Sequence, residues 1–129
     1  MRVLLDTHVL LWTLAEPRRL DRKTRAAIES ADTEVLFSAA SIWEIGIKFA
    51  LRRTDFAIAP DDILQGALAI GFAELPVSAA TAATVAVLPP IHRDPFDRLL
   101  IAQAIAAPAV LYTSDARLTA YSELVRRVG

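Results

Sequence analysis

The stretch RVLLDTHVLLWTLA, residues 2–15, combines the two patterns that decide the fold class of this chain. Residues 2–5 form a short apolar run, which is typical of a strand buried on both faces. Asp6 ends that run, and residues 8–15 continue as a short helix that stops before Pro17. A buried strand followed at once by a helix is the unit from which parallel sheets are built.

The same alternation continues through the rest of the chain. Further strand candidates are EVLFS at 34–38, AELPVS at 73–78, AVLYTSD at 109–115 and an edge strand in the tail 122–129. Helices are predicted at 21–31, 39–53, 60–72, 79–88 and 94–107. We therefore expect an α/β fold, a three-layer α/β/α sandwich with a mainly parallel central sheet.

Length and composition indicate a single domain over residues 1–129. The chain has 129 residues, of which 54% are hydrophobic and 22% charged, so one well-packed core is expected rather than disorder. The absence of cysteine excludes disulfides and thiolate metal sites. The N-terminal apolar run lacks a basic leader and a cleavage site, and no apolar stretch is long enough to span a bilayer. We expect a cytoplasmic protein without a membrane partner.

Two acids follow predicted strands directly. Asp6 ends VLLD, and Asp115 ends VLYTSD. Each acid taken alone is readily explained as the N-cap of the next helix. In a parallel sheet, however, ligands bind beyond the carboxyl ends of the strands, and two acids at those ends point to a common cleft.

A third acid lies in an apolar helix. Glu44 is surrounded by Ile42, Trp43, Ile45 and Ile47, so its helix is expected to be largely buried. A buried carboxylate needs a partner or a metal. Lys48, four residues later, is the alternative partner, and the two interpretations are compatible.

The stretch HRDPFDRLL, residues 92–100, contributes a fourth acid. Asp94 as N-cap and Pro95 at the first helical position form a complete helix start. Capping accounts for Asp94. It accounts only partly for Asp97, which gains from the helix dipole but keeps a free side chain.

Four carboxylates from distant segments suggest a site for a hard cation, Mg²⁺ or Mn²⁺. Such a cluster would orient a metal-bound water for attack on a phosphodiester, with two ions about 4 Å apart. Mutual repulsion should raise some of the carboxyl pKa values. The net charge of −1 argues against a generic nucleic-acid binder, but with these four acids set aside the rest of the chain is net positive.

Other residues have weaker claims on the site. Thr7, Ser41, Thr113 and Ser114 could hydrogen-bond metal waters or cap helices. His8 and His92, the only histidines, are too few for a histidine-rich zinc or iron site. Trp12, Trp43 and Phe96 are interpreted as core or dimer contacts. A phosphate-binding rim, or merely a solvated surface, is formed by Lys48, Arg52, Arg53, Arg93, Arg98 and Arg117.

The order and spacing of LLDTHVLLW, SAASIWEIGIK, HRDPFDRLLIAQA and LYTSD resemble the PIN-domain ribonucleases, and more narrowly the VapC-type toxins of toxin–antitoxin modules. The resemblance covers nearly the whole chain. It implies a Mg²⁺- or Mn²⁺-dependent endoribonuclease, an RNA substrate, a cognate antitoxin whose C-terminal segment occupies the catalytic groove, and a homodimer. The metal-binding and catalytic acids that it implies are Asp6, Glu44, Asp97 and Asp115.

Within HRDPFDRLL the resemblance places the active-site acid at Asp97 and assigns Asp94 to the helix start. Thr7, Ser41, Lys48, Thr113 and Ser114 fit accessory polar roles. The residue after the Asp-Thr pair is often small and polar in such proteins, whereas here it is His8.

Two alternatives stay open at this level. A catalytically inactive PIN-like scaffold would bind RNA or protein only, although such a scaffold has no reason to keep Glu44 in an apolar helix. An aspartyl-nucleophile phosphatase would use Asp6, but those enzymes need a second acid at the position that His8 occupies.

Overall fold

Five parallel strands form a single sheet in the computed structural model, which describes residues 1–129. The strands are β1 (Arg2–Leu5), β2 (Glu34–Ser38), β3 (Ala73–Leu75), β4 (Val110–Thr113) and β5 (Val125–Arg127). Their order across the sheet is β3-β2-β1-β4-β5, so the first strand is central and pairs with β2 and β4. Every pairing is parallel, which confirms the predicted sheet and the edge strand in the tail.

Six α-helices connect the strands. They are α1 (Thr7–Ala15), α2 (Arg22–Glu29), α3 (Ala39–Ala50), α4 (Pro60–Ala69), α5 (Ala79–Thr84) and α6 (Pro95–Ala106). Short 3₁₀ turns cover Pro17–Arg19, Val85–Val87 and Ala116–Ala120. No helix of the chain has both the length and the apolar character that a bilayer span requires.

Side chains of successive strand residues alternate between two cores. Val3 and Leu5 pack in one core with residues of α1, α3 and α4, whereas Leu4 packs in a second core with Leu100 and Ile101 of α6. Both faces of the central strands are therefore covered, as the uninterrupted apolar runs of β1 and β2 predict. The three-layer α/β/α sandwich is confirmed.

Most predicted elements extend beyond the real ones by one to four residues, and three of them have an identifiable local reason. Helix α3 ends at Ala50 rather than at 53 because Arg52 has a left-handed φ of 56°. Strand β3 ends before Pro76, which has no N–H for the ladder. Helix α5 continues only as a 3₁₀ turn before Pro89.

Candidate active site

The carboxyl edge of the sheet carries the four predicted site acids. Asp6 directly follows β1, and Asp115 lies two residues beyond the neighbouring strand β4. Glu44 lies on α3, the helix that leaves β2, and Asp97 lies in the first turn of α6. Because β1, β2 and β4 are adjacent and parallel, their carboxyl ends place these segments side by side.

Both oxygens of the Asp6 carboxylate are held. Oδ1 accepts from the Val9 amide at 2.8 Å, the N-cap bond of α1, and Oδ2 accepts from the Thr113 hydroxyl at 2.6 Å and the Ser114 amide at 3.1 Å. The side chain is 4% exposed. Burial raises the pKa of Asp6, against the lowering effect of these hydrogen bonds. The carboxylate is thus an N-cap and also a rigid link between β1 and the end of β4.

Glu44 is buried and has two polar partners. Thr7 donates its hydroxyl to Oε1 at 2.6 Å, and Lys48 forms a close hydrogen-bonded ion pair with Oε2. The Ser41 hydroxyl lies 3.1 Å from the Thr7 hydroxyl and donates to it, because the single Thr7 proton goes to Glu44, and this contact ties the start of α1 to α3. The predicted Glu44–Lys48 pair is therefore present. The Lys48 ammonium lies 5.0 Å from the centre of the Phe56 ring, so it is enclosed on that side by an aromatic face.

Asp97 is the acid with the least support. Its backbone amide donates to Asp94 Oδ1 at 3.1 Å, but no donor bonds its own carboxylate. Burial raises the pKa of Asp97 to about 7, and the negative charges of Asp94, Asp6, Glu44 and Asp115 add to the shift. All three other predicted acids therefore act on this carboxyl group, as expected for a cluster that repels itself.

Asp115 is held from several directions. Its amide donates to the Thr113 hydroxyl at 3.0 Å, and its carboxylate accepts from the Arg117 amide and guanidinium. His92 Nε2 lies 3.0 Å from Oδ2. The pKa of Asp115 is well below its usual range, mainly because Arg117 donates to the charged form. Asp115 is thus a permanent anion beside the protonatable Asp97.

The threonines and serines with predicted accessory roles hydrogen-bond the acids, three of them directly. Thr7 holds Glu44, Thr113 joins Asp6 to Asp115, and the Ser114 amide bonds Asp6. Ser41 reaches Glu44 only through Thr7. Asp94 caps α6 by accepting from the amides of residues 96 and 97, as the sequence predicts.

His92 was missed by the sequence reasoning. Its Nε2 lies 3.0 Å from Asp115 Oδ2 and 3.8 Å from Asp97 Oδ2, and one ligand atom from each of the three residues fits within 4.8 Å. The presence of only two histidines argued against a histidine-rich site and gave His92 no other role. The available signal was the position of His92 two residues before the N-cap Asp94, but its partner Asp115 is 23 residues away.

Gln103 was also missed. It is 2% exposed, its Oε1 accepts from the Ser38 hydroxyl at 2.6 Å, and its amide donates to the carbonyls of Leu75 and Pro76. Gln103 therefore fastens α6 to the ends of β2 and β3. This contact sets the position of the helix whose first turn carries Asp97.

The predicted basic rim is only partly real. Arg98 donates to the carbonyls of Pro89, Val85 and Leu88, so its guanidinium supports the chain before α6. Arg117 donates to the Asp115 carboxylate, and Lys48 donates to the Glu44 carboxylate. Arg52, Arg53 and Arg93 are exposed, and Arg53 lies 3.9 Å from Asp55.

The large aromatic residues divide into two groups. Trp12 packs against the first core, with the Arg19 guanidinium 5.0 Å from its ring centre. Trp43 is 64% exposed and meets Phe96 edge to face, with ring centres 5.3 Å apart. Phe96 is half-buried, and the two rings join α3 and α6, the helices that carry Glu44 and Asp97.

The donor set of the cluster fits a hard divalent cation. It offers carboxylate oxygens and hydroxyls, without thiolate, and a carboxylate oxygen of Asp97, one of Asp115 and a ring nitrogen of His92 lie within 4.8 Å of one another. Burial, and after it the negative charges of the neighbouring acids, raise the pKa of Asp97, and a bound cation would favour its charged form. The arrangement therefore suits a cation that keeps open positions for phosphate oxygens.

Comparison with known proteins matches this fold and site to a family. The pattern of the PIN domain matches residues 3–124. Ribonuclease VapC22 of Mycobacterium tuberculosis is 38% identical over 120 residues, which are 92% of this chain and 91% of that protein. The chain belongs to the PIN-domain family, and the resemblance stated from its motifs is confirmed.

Solved structures share the fold at low sequence identity. The crystal structure of VapBC2 from Rickettsia felis bound to a DNA fragment has a TM-score of 0.72 and 14% identity, with full coverage of both chains. FitAcB from Neisseria gonorrhoeae has a TM-score of 0.62 and 20% identity, over 98% of this chain and 96% of that one. At these identities the two structures support the architecture alone.

Proposed function

We propose that this chain is a metal-dependent endoribonuclease that acts as the toxin of a toxin–antitoxin pair. The observation that carries the proposal is the Asp97 carboxylate, which no donor bonds and whose pKa the surrounding acids help to raise to about 7. A cation bound at the acids would stabilise the charged form of this carboxyl group. The 38% identity to a ribonuclease over nearly the whole chain supplies the reaction class.

Asp6, Glu44, Asp97 and Asp115 would hold the cation, which we propose to be Mg²⁺ or Mn²⁺ because both prefer carboxylate oxygens. A bound cation neutralises charge that develops on the phosphodiester and lowers the pKa of a coordinated water. Asp6 and Glu44 hold fixed positions through Thr113 and Thr7. Asp97, whose carboxylate is free of hydrogen bonds, is the acid best able to exchange protons or ligands.

The phosphatase alternative is disfavoured by the geometry of Asp6. A carboxylate nucleophile needs one oxygen free to attack, but both Asp6 oxygens accept short hydrogen bonds in a buried setting. His8, at the position where such enzymes need a second acid, lies 3.3 Å from Asp55 and packs against Phe56. The non-catalytic scaffold is the alternative that experiment must separate.

The proposed partners are RNA, a cognate antitoxin and a second copy of the chain. The exposed Trp43, which packs on the half-buried Phe96 of α6, offers apolar area for an antitoxin segment that would cover the site. Exposed apolar side chains on and beyond α4 and α5, which include Leu68, Ile70 and Val87, are available for self-association. Light scattering of the isolated chain and of the chain with the product of the neighbouring reading frame would test both assignments.

The decisive experiment measures RNA cleavage by the purified chain in Mg²⁺, in Mn²⁺ and in EDTA, with sequencing of the new RNA ends. We expect Asp97→Asn to lower the cleavage rate by about 100-fold or more. Asp61→Asn, an exposed acid on α4, is the matched control and should cleave normally. Equal cleavage by Asp97→Asn refutes the site assignment. Magnesium-dependent RNA binding without cleavage of any transcript favours the scaffold.

A further inference from the structure

His92 is the one side chain that lies between two of the proposed metal ligands without being one of the four acids. Its Nε2 is 3.0 Å from Asp115 Oδ2 and 3.8 Å from Asp97 Oδ2, and its side chain is 9% exposed. A nitrogen in this place has two possible roles. It could ligate a cation through a lone pair, or it could donate a hydrogen bond to a carboxylate that does so.

The hydrogen bond at the other ring nitrogen, Nδ1, decides between these two roles. The Asp94 amide lies 3.0 Å from His92 Nδ1. A backbone amide is a donor only, so Nδ1 must present its lone pair and cannot carry the proton. The proton of the neutral ring is therefore on Nε2, where it points at Asp115. A protonated Nε2 has no lone pair for a metal ion.

The surrounding chain holds the ring in this orientation. The His92 amide donates to the Tyr121 hydroxyl at 2.8 Å, and Arg98 donates to the same hydroxyl at 3.2 Å and to the Pro89 carbonyl at 2.9 Å. The residue is thus anchored at its backbone and at Nδ1. A rotation that turned Nε2 away from Asp115 would break the bond from the Asp94 amide.

We propose that His92 is a positioning residue that donates from Nε2 to Asp115 and orients this carboxylate for the cation, without ligating the cation itself. The inference rests on the proposed function, because it needs a cation at the acids. A hydrogen bond that orients a metal-binding carboxylate raises the affinity of the site for the metal ion. Arg117 also bonds Asp115, but its side chain is 72% exposed and is free to leave.

Two substitutions test the two ring nitrogens of His92 separately. His92→Asn places an amide oxygen where it can accept from the Asp94 amide, but it cannot reach Asp115. His92→Gln places an amide N–H near the position of Nε2 and gives up the local acceptor. We expect His92→Asn to weaken Mn²⁺ binding by about 10- to 100-fold, and His92→Gln by about threefold or less. Calorimetric Mn²⁺ titration of the full chain measures both, and thermal unfolding in EDTA verifies that each variant is folded.

Pulsed electron paramagnetic resonance of Mn²⁺ bound to the wild-type chain adds a readout that needs no variant. We expect no directly coordinated nitrogen. A coordinated nitrogen shows that His92 is a ligand and overturns the proposal, as does unchanged affinity in a folded His92→Asn variant. An equal loss of Mn²⁺ affinity in both variants would assign the effect to the chain conformation at Asp94 rather than to the bond to Asp115, and would also overturn the proposal. A wild-type chain that binds no Mn²⁺ overturns the proposed function itself, and the inference with it.

Discussion

Thr113 donates its hydroxyl to Asp6 across 107 residues of sequence, at 2.6 Å, and the same oxygen accepts from the Asp115 amide at 3.0 Å. One buried hydroxyl therefore couples the acid after β1 to the acid after β4. Because the two strands are adjacent and parallel, this bond fixes the spacing of the two carboxylates at the edge of the sheet.

Replacing Thr113 by valine keeps the shape of the side chain and removes both hydrogen bonds. We expect the free energy of unfolding to fall by about 1–3 kcal/mol, because the buried Asp6 carboxylate and the Asp115 amide each lose a partner. Urea denaturation in EDTA measures the loss. Thr119→Val removes a bond from an exposed hydroxyl and is the control. Equal stability of the two variants would show that Thr113 contributes only packing.

Replacing Lys48 by methionine leaves the buried Glu44 carboxylate with Thr7 as its remaining donor. We expect a loss of about 1–3 kcal/mol in the metal-free chain. Glu44→Gln combined with Lys48→Met should recover part of it, because no unpaired charge is then buried. Chemical denaturation of the single and double variants gives the coupling energy. Lys23→Met, at the exposed lysine of α2, controls for general charge effects. A purely additive cycle would contradict the importance of the ion pair.

The pKa of Asp97, raised from 3.8 to about 7, predicts how the stability of the metal-free chain depends on pH. An acid whose pKa is higher in the folded state adds stability below its unfolded pKa, and this stability is lost as the pH rises through the folded pKa. Between about pH 4 and pH 7 the wild-type chain in EDTA should therefore lose stability relative to Asp97→Asn, by up to about 4 kcal/mol.

Paired denaturation series of the wild-type chain and Asp97→Asn at several pH values isolate the contribution of this carboxyl group. Asp94→Asn changes a neighbouring acid of the same helix start and serves as the comparison. Parallel stability curves for the wild type and Asp97→Asn would show that Asp97 titrates normally.

Replacing Gln103 by leucine removes the polar bridge between α6 and the sheet. The Ser38 hydroxyl then has no buried acceptor, so we expect a loss of about 1–3 kcal/mol in the free energy of unfolding. Gln65→Leu, an exposed glutamine on α4, is the control. If crosslinking or hydrogen-exchange measurements showed α6 to be held as firmly in Gln103→Leu as in the wild type, Gln103 would not be the residue that positions this helix.

The order of strands and helices followed from sequence patterns because buried strands are continuously apolar and helix starts carry caps. Asp94 was predicted as the N-cap of α6, and its side chain accepts from two amides of the first turn. Element ends were less accurate. The left-handed backbone of Arg52 and the conversion of α5 to a 3₁₀ turn have no clear local signature, so both helices were predicted too long.

Conversely, the partners of the site acids came only from the tertiary structure. Arg98 and Arg117 have the same chemistry in the sequence, yet one braces carbonyls before α6 and the other pairs with Asp115. The two histidines were judged too few for a histidine-rich zinc or iron site, and His92 was given no role at the acids. His92 nevertheless bonds Asp115, a contact between segments 23 residues apart.

The sequence by itself determined the α/β/α class, the central position of an apolar first strand and the acids that follow strands and begin helices. These properties depend on hydrophobic periodicity and capping, which act over a few residues. Only the folded chain decided that both Asp6 oxygens accept hydrogen bonds, that Asp97 is left without a donor and that His92 presents its proton to Asp115. Those outcomes depend on which distant groups the parallel sheet brings within hydrogen-bonding distance, and on how much water the two cores exclude from them.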